Sequence, residues 1–249
     1  MEALILCGGF ATRLEPMTLF IPKPLLPIGG KPIIDYILDD LSKTDAKRVI
    51  ISVNSKFRDQ FEYWVKAKSR SYGKEIVMVV EPTVHNGHKF GAIKGIHYAI
   101  EKAGIDDDLI IIAGDNFYTT SVSRAISQFE HSDKSPTICV HDVGSKEEAR
   151  KFGVVELEGK RIKRFEEKPQ EPKSSIISTA IYVYPKKMLQ KFGEYLEEKN
   201  NSDAPGYFLQ WLIKDTEVHG VVNDGEWYDI GTLETYRKVY ERFASSKSA

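Results

Sequence analysis

The residues best suited to chemistry lie close to the N-terminus. The string Leu4-Ile5-Leu6-Cys7-Gly8-Gly9-Phe10-Ala11-Thr12-Arg13-Leu14 is followed by Pro22-Lys23-Pro24-Leu25-Leu26-Pro27. Glycines let a backbone run close to a ligand and turn N–H groups toward phosphate oxygens. Arg13 and Lys23 add two positive charges to the same loop, and three prolines stiffen its second arm, which limits the entropy lost on binding. Such a loop is a cradle for a triphosphate. Neither a G-x-G-x-x-G string nor G-K-[ST] follows the first strand, which disfavours the common dinucleotide fingerprint and excludes a P-loop.

Two carboxylates form a second group. The apolar run Leu109–Ala113 ends in Gly114-Asp115-Asn116, and far downstream stands Trp227-Tyr228-Asp229-Ile230-Gly231-Thr232. A strand-end aspartate alone is commonly a turn or helix cap. Mg²⁺, however, is often held by one or two carboxylates plus substrate phosphates, and Asp115 and Asp229 supply that pair if the fold brings them together. A third group is Phe152-Gly153-Val154-Val155-Glu156 with Phe165-Glu166-Glu167-Lys168-Pro169, which by itself reads as a solvated, charged strand end. His85 and His88 have no third ligand nearby and do not make a metal centre.

These groups need elements to position them. Ala3–Leu6, Arg48–Val53, Ile76–Val80 and Leu109–Ala113 are short apolar runs that read as buried strands. Between them lie helix patterns: one from Pro32 with Ile34, Ile37, Leu38 and Leu41 on one face, then Phe57–Val65, Phe90–Ala103 and Ser121–Glu130. The alternation predicts an α/β, doubly wound, Rossmann-like mixed but mainly parallel sheet, with ligands beyond the carboxyl ends of its strands. In the second half, Pro136–His141, Gly153–Leu157, Arg161–Glu166 and Ile176–Tyr184 read as strands that add a small antiparallel extension. Glu158-Gly159-Lys160 suits a hairpin. Lys186–Phe192, Tyr207–Ile213 and Leu233–Phe243 are the later helices, the last capped by Thr232.

With these strings in place, the chain resembles the sugar-1-phosphate nucleotidylyltransferases, whose motif L-x-G-G-x-G-T-R-L…P-K-P-L-x-P matches the first group. The resemblance runs from Glu2 to about Phe243. It implies the nucleotide-diphospho-sugar transferase type of fold and an enzyme that joins a nucleoside triphosphate to a sugar 1-phosphate, releasing pyrophosphate. It implies catalytic roles for Arg13 and Lys23 on the triphosphate. Nucleotide contacts fall to Leu6, Cys7, Gly8, Gly9, Thr12, Glu81 and Gly87, sugar-phosphate contacts to Gly153, Glu167, Lys168 and Thr179, and Mg²⁺ to Asp115 and Asp229. UTP or dTTP and glucose 1-phosphate are the favoured substrates. The reaction is in-line attack on the α-phosphorus, which needs positioning and charge stabilisation more than a general base. The alternatives are a non-catalytic sugar-nucleotide-binding regulatory subunit and a GTP- or CTP-using relative. Three departures stand out. Ala11 replaces a glycine and demands a more ordinary backbone; His88-Lys89-Phe90 replaces a Thr-Ala in the base-reading loop; Ser178-Thr179-Ala180 replaces N-x-G beside the sugar.

The totals narrow the partners. The 249 residues include 35 Lys+Arg and 36 Asp+Glu, a net charge of −1, so nothing favours nucleic acid or an anionic membrane. Cys7 and Cys139 make no disulfide framework and read as small buried hydrophobes. Signal-peptide and membrane-spanning patterns are absent, so a soluble, cytoplasmic protein is expected. One domain over 1–243, a frayed tail over 244–249 and no C-terminal β-helix are expected, with room for a homo-oligomer.

Overall fold

The computed structural model describes the backbone of residues 1–244; residues 245–249, where the sequence predicts a frayed tail, lie outside the described residues. In chain order the strands are β1 (Glu2–Cys7), β2 (Pro27–Ile28), β3 (Lys31–Pro32), β4 (Arg48–Asn54), β5 (Glu75–Glu81), β6 (Leu109–Ala113), β7 (Asn116–Tyr118), β8 (Thr137–Asp142), β9 (Gly153–Glu158), β10 (Arg161–Glu167), β11 (Ile176–Tyr184), β12 (His219–Val222) and β13 (Trp227–Asp229). The α-helices are α1 (Ile33–Leu41), α2 (Arg58–Lys68), α3 (Ala92–Ala103), α4 (Ser123–His131), α5 (Lys146–Ala149), α6 (Lys191–Glu197), α7 (Pro205–Leu212) and α8 (Leu233–Ala244).

A nine-stranded sheet runs in the order β5-β4-β1-β6-β11-β8-β12-β10-β9. β1 and β6 are apolar almost throughout because both faces are covered. On one face Ile5, Ile51 and Ile112 pack with α1, α2 and α4; on the other Leu4, Ile50 and Ile111 pack with α3, α6 and α7. The alternation of strand side chains assigns consecutive residues to opposite layers.

The sheet is less parallel than the sequence predicts. Among the described residues, parallel pairing is confined to β4–β5, β1–β4, β1–β6 and β8–β12. β11 runs antiparallel to β6, β8 and β9, and β10 is antiparallel to β9 and β12. The cause is local. Gly159, at φ 61°, closes the β9–β10 hairpin that the sequence predicts, and a hairpin forces antiparallel neighbours. β12 has no clear strand signal in the sequence, since Gly220 interrupts its short apolar run. The helix expected over Lys186–Phe192 is a 3-10 turn at Lys186–Met188 followed by α6, whose Phe192 and Tyr195 face the core.

Because β1, β4, β5 and β6 are parallel, their carboxyl ends share one edge of the sheet. Gly8, Asn54, Glu81 and Asp115 all follow or close those ends. A small antiparallel ribbon, β7–β13, pairs Asn116 with Asp229 and so brings the distant Asp229 beside Asp115. Beneath it a separate core cluster joins Leu14, Leu26, Phe117, Ile230 and Val239. Leu14 neighbours Arg13 and Ile230 neighbours Asp229, so burial of these apolar residues fixes the charged ones next to them. Thr232 caps α8 as predicted: its hydroxyl accepts the Thr235 N–H at 3.2 Å.

Candidate active site

One cleft with two lobes opens at this edge. The first lobe, about 480 Å³, is lined by the glycine loop from Leu6 to Leu14, by Lys23 and by Glu81. The second, about 1270 Å³, is lined by Gly153, Glu167, Lys168, Trp227 and Asp229. Arg13, Asp115, Ala180 and Gly231 line both and form the waist between them.

The waist is the electrostatic centre. Lys23 is only 5% exposed, and its ammonium donates to Asp115 Oδ2 at 2.8 Å and lies 3.7 Å from Asp229 Oδ1. Two carboxylates from remote segments therefore face one point. Burial raises the Asp229 pKa, Lys23 opposes the rise, and the like charge of Asp115 adds to it. The charge of Arg13 also opposes the rise.

The glycine loop is held from two directions. Asn54 is fully buried; its amide donates to the Gly8 carbonyl at 3.1 Å while its carbonyl accepts the Phe57 N–H at 3.2 Å. Ala11 has φ 48°, ψ 41°, in the left-handed region, contrary to the ordinary backbone expected for it. Its carbonyl accepts both the Leu14 N–H at 2.9 Å and the Thr18 hydroxyl at 2.8 Å, and these bonds hold the strained turn that launches Thr12 and Arg13.

Each lobe has a glutamate whose carboxylate is wedged between two glycines. Glu81 is 7% exposed; a Cβ on Gly8 would come within 2.7 Å of its carboxylate and one on Gly95 within 2.8 Å. Ser52 donates to Glu81 Oε1 at 2.7 Å, and Oε2 has no hydrogen bond among the described residues. Burial raises the Glu81 pKa, and the Ser52 bond opposes the rise. In the second lobe a Cβ on Gly153 would lie 3.0 Å, and one on Gly206 1.8 Å, from Glu167 Oε2. Lys168 is 4.0 Å away. Burial raises the Glu167 pKa, only partly offset by Lys168. Both carboxylates thus have acceptor capacity turned into the cleft and unused by the protein.

Most predicted residues converge here. Leu6, Cys7, Gly8, Gly9, Thr12, Arg13, Lys23 and Glu81 line the first lobe, while Gly153, Glu167 and Lys168 line the second. Asp115 and Asp229 meet at the waist. Two assignments need correction. Thr179 is fully buried and its hydroxyl donates to the Cys139 carbonyl at 3.1 Å. Strand alternation turns Ser178, Ala180 and Tyr182 to the cleft and Thr179, between them, to the core. Gly87 sits exposed in the short turn Asn86–His88, and it is Asn86 and Lys89 that line the lobe. The His88 side chain lies outside the described residues.

Asn54, Gly95 and Gly206 are site residues that the sequence motifs do not mark, and Trp227, part of a marked string, gains a place in the site only here. Trp227 packs edge-on to Phe152 at 5.2 Å and forms part of the second lobe. A signal for Gly206 existed: a glycine directly after Pro205, in the first turn of a helix, is poor for helix stability and calls for another reason. No helix among the described residues is long and apolar enough to cross a membrane.

The chain is 29% identical over 234 residues to a mannose-1-phosphate guanylyltransferase catalytic subunit beta of Xenopus tropicalis, covering 93% of this chain and 61% of that protein. It is 27% identical over 245 residues to a UTP–glucose-1-phosphate uridylyltransferase of Synechocystis, covering 95% of this chain and 61% of that one. It thus spans about three fifths of the length of these relatives. A solved UDP-glucose pyrophosphorylase, complexed with UDP-glucose, superposes with a TM-score of 0.82 at 21% identity, covering 98% of both chains, which shows the same fold. Residues 2–246 match the nucleotidyl transferase family profile, and the chain belongs to that family, with the sugar-1-phosphate nucleotidylyltransferases as its relatives.

Proposed function

We propose that the protein joins a nucleoside triphosphate to a sugar 1-phosphate, giving a nucleoside diphosphate sugar and pyrophosphate. The carrying observation is the waist, where Arg13, Lys23, Asp115 and Asp229 converge between two lobes of unequal size. The first lobe takes the nucleotide and the second the sugar phosphate, so the α-phosphorus lies at the junction. UTP or dTTP is the favoured nucleotide and glucose 1-phosphate the favoured sugar.

The chemistry follows from these residues. A phosphate oxygen of the sugar 1-phosphate attacks the α-phosphorus in line, the bond to the bridging oxygen breaks, and pyrophosphate leaves. The attacking group is already an anion at neutral pH, so no base is needed. Arg13 donates to the oxygens on which charge gathers, and Lys23 adds a second cation. Glu167, whose carboxylate fits in the space that Gly153 and Gly206 leave, accepts from sugar hydroxyls, and Lys168 faces the sugar's phosphate.

The donor set also suits Mg²⁺: two hard carboxylate oxygens face one point, as that ion requires. Asp115 and Asp229 would hold it, and it would supply neutralisation and polarisation of phosphate oxygens. The test is pyrophosphate release across nucleotides and sugar 1-phosphates with Mg²⁺ present. Turnover with at least one pair is expected. Silence with every pair, in protein shown to be folded, overturns the reading.

A further inference from the structure

The wall of the first lobe contains an ion pair that the reaction does not use. Lys89 Nζ lies 2.5 Å from Asp203 Oδ1, and both residues line the lobe. The loop bearing Lys89 is fastened to the Asp203 segment by backbone bonds: Ala92 N–H to the Asp203 carbonyl at 3.2 Å and Ile93 N–H to the Ser202 carbonyl at 3.0 Å. Gly91 makes this approach feasible, since a Cβ there would come within 2.5 Å of the Ser202 carbonyl oxygen. The backbone that follows Lys89 is therefore tied to the Asp203 segment, and the two paired side chains, each about half exposed, meet at the lobe.

Glu81 lies in the same lobe, with one oxygen satisfied by Ser52 and the other without a hydrogen bond among the described residues. The two charged groups have fixed and opposite roles. An ionised carboxylate only accepts, and an ammonium only donates. Asn86 also lines the lobe, but an amide both donates and accepts and so does not discriminate.

Resting on the function proposed above, we infer that Lys89, steadied by Asp203, acts with Glu81 to select bases that carry an imino N–H beside a keto oxygen. Guanine, uracil and thymine meet this demand: the N–H donates to Glu81 and the keto oxygen accepts from Lys89. Adenine and cytosine reverse both positions. Their ring nitrogen lone pair meets the carboxylate and their amino group meets the ammonium, so the same two residues repel them. Selectivity then has an attractive and a repulsive part.

The test reads binding, not turnover. The full chain is titrated with GTP, UTP, dTTP, ATP and CTP in Mg²⁺ without any sugar phosphate. The best keto nucleotide is expected to bind roughly 10- to 100-fold more tightly than ATP or CTP, the range of one well-made base contact. Lys89→Met and Asp203→Asn should each shrink that ratio, Lys89→Arg should retain it, and the melting temperatures of all three should match the parent. ATP or CTP binding as tightly as the best keto nucleotide overturns the inference. So does a Lys89→Met protein, folded by its melting curve, with an unchanged ratio. A parent protein that shows the ratio yet releases no pyrophosphate with any sugar 1-phosphate keeps this inference and loses the proposed function.

Discussion

Arg13 stands where the two lobes meet and so touches whatever spans them. Its replacement by alanine removes a charge stabiliser and should lower kcat/KM by roughly 100-fold or more, with little change in melting temperature. Steady-state kinetics beside a melting curve checks this; a near-normal rate removes Arg13 from the chemistry. Glu167 gives a pH prediction. Burial raises its folded pKa above the unfolded value, so the contribution of this group to stability is present at low pH and is lost as pH rises through the folded value. Glu167→Gln should therefore stabilise the substrate-free protein at about pH 8, by about 1–3 kcal/mol, and the gain should fade toward about pH 4. A gain that is flat with pH would mean the carboxylate is not strained by burial. The four charged residues at the waist are legible in the sequence because each sits in a long, ordered string. Gly95 is not, because the carboxylate it accommodates comes from another element and no local spacing announces that, whereas Gly206 betrays only that something crowds it, through its poor fit to a first helical turn.

The strand-and-loop framework carries a conformational load. Ala11 and Ala180 both occupy the left-handed region, at φ 48° and φ 57°, where a Cβ crowds the backbone. Ala11→Gly and Ala180→Gly should each stabilise the fold by about 1 kcal/mol. Denaturant midpoints read this directly, and a loss of stability at either site would show that the methyl group packs better than the backbone suffers. At this scale the sequence is a good guide to the parallel strands β1, β4, β5 and β6, whose apolar runs are continuous. It is a poor guide to β12, four residues long with a glycine inside, and to the sheet's second half, where a hairpin and antiparallel pairing replace the strand–helix alternation. The Thr179 assignment follows the motif and not the strand period: alternation sends Ser178 and Ala180 to the cleft and Thr179 to the core.

Across the whole molecule, Asp115 and Asp229 meet only because the β7–β13 ribbon joins distant parts of the chain. Ligand binding should therefore brace elements far apart in sequence. A nucleotide with Mg²⁺ at about 100 times its Kd should add about 2.7 kcal/mol of stability, seen as a rise in melting temperature. Removing the metal with EDTA should abolish turnover and most of that rise. A rise that survives EDTA intact would argue against Asp115 and Asp229 as the metal's ligands.

The ammonium buried between the two aspartates has a consequence for how the protein meets electrolyte. The Lys23 side chain is only 6% exposed and lies at short range from Asp115, so counter-ions reach that cation less readily than they reach Lys168, which is 57% exposed and open to screening. Adding salt should slow the capture of an anionic substrate and lower kcat/KM, while leaving kcat nearly constant. A kcat that falls in step would place the sensitive charges at the heart of the cleft and not at its entrance.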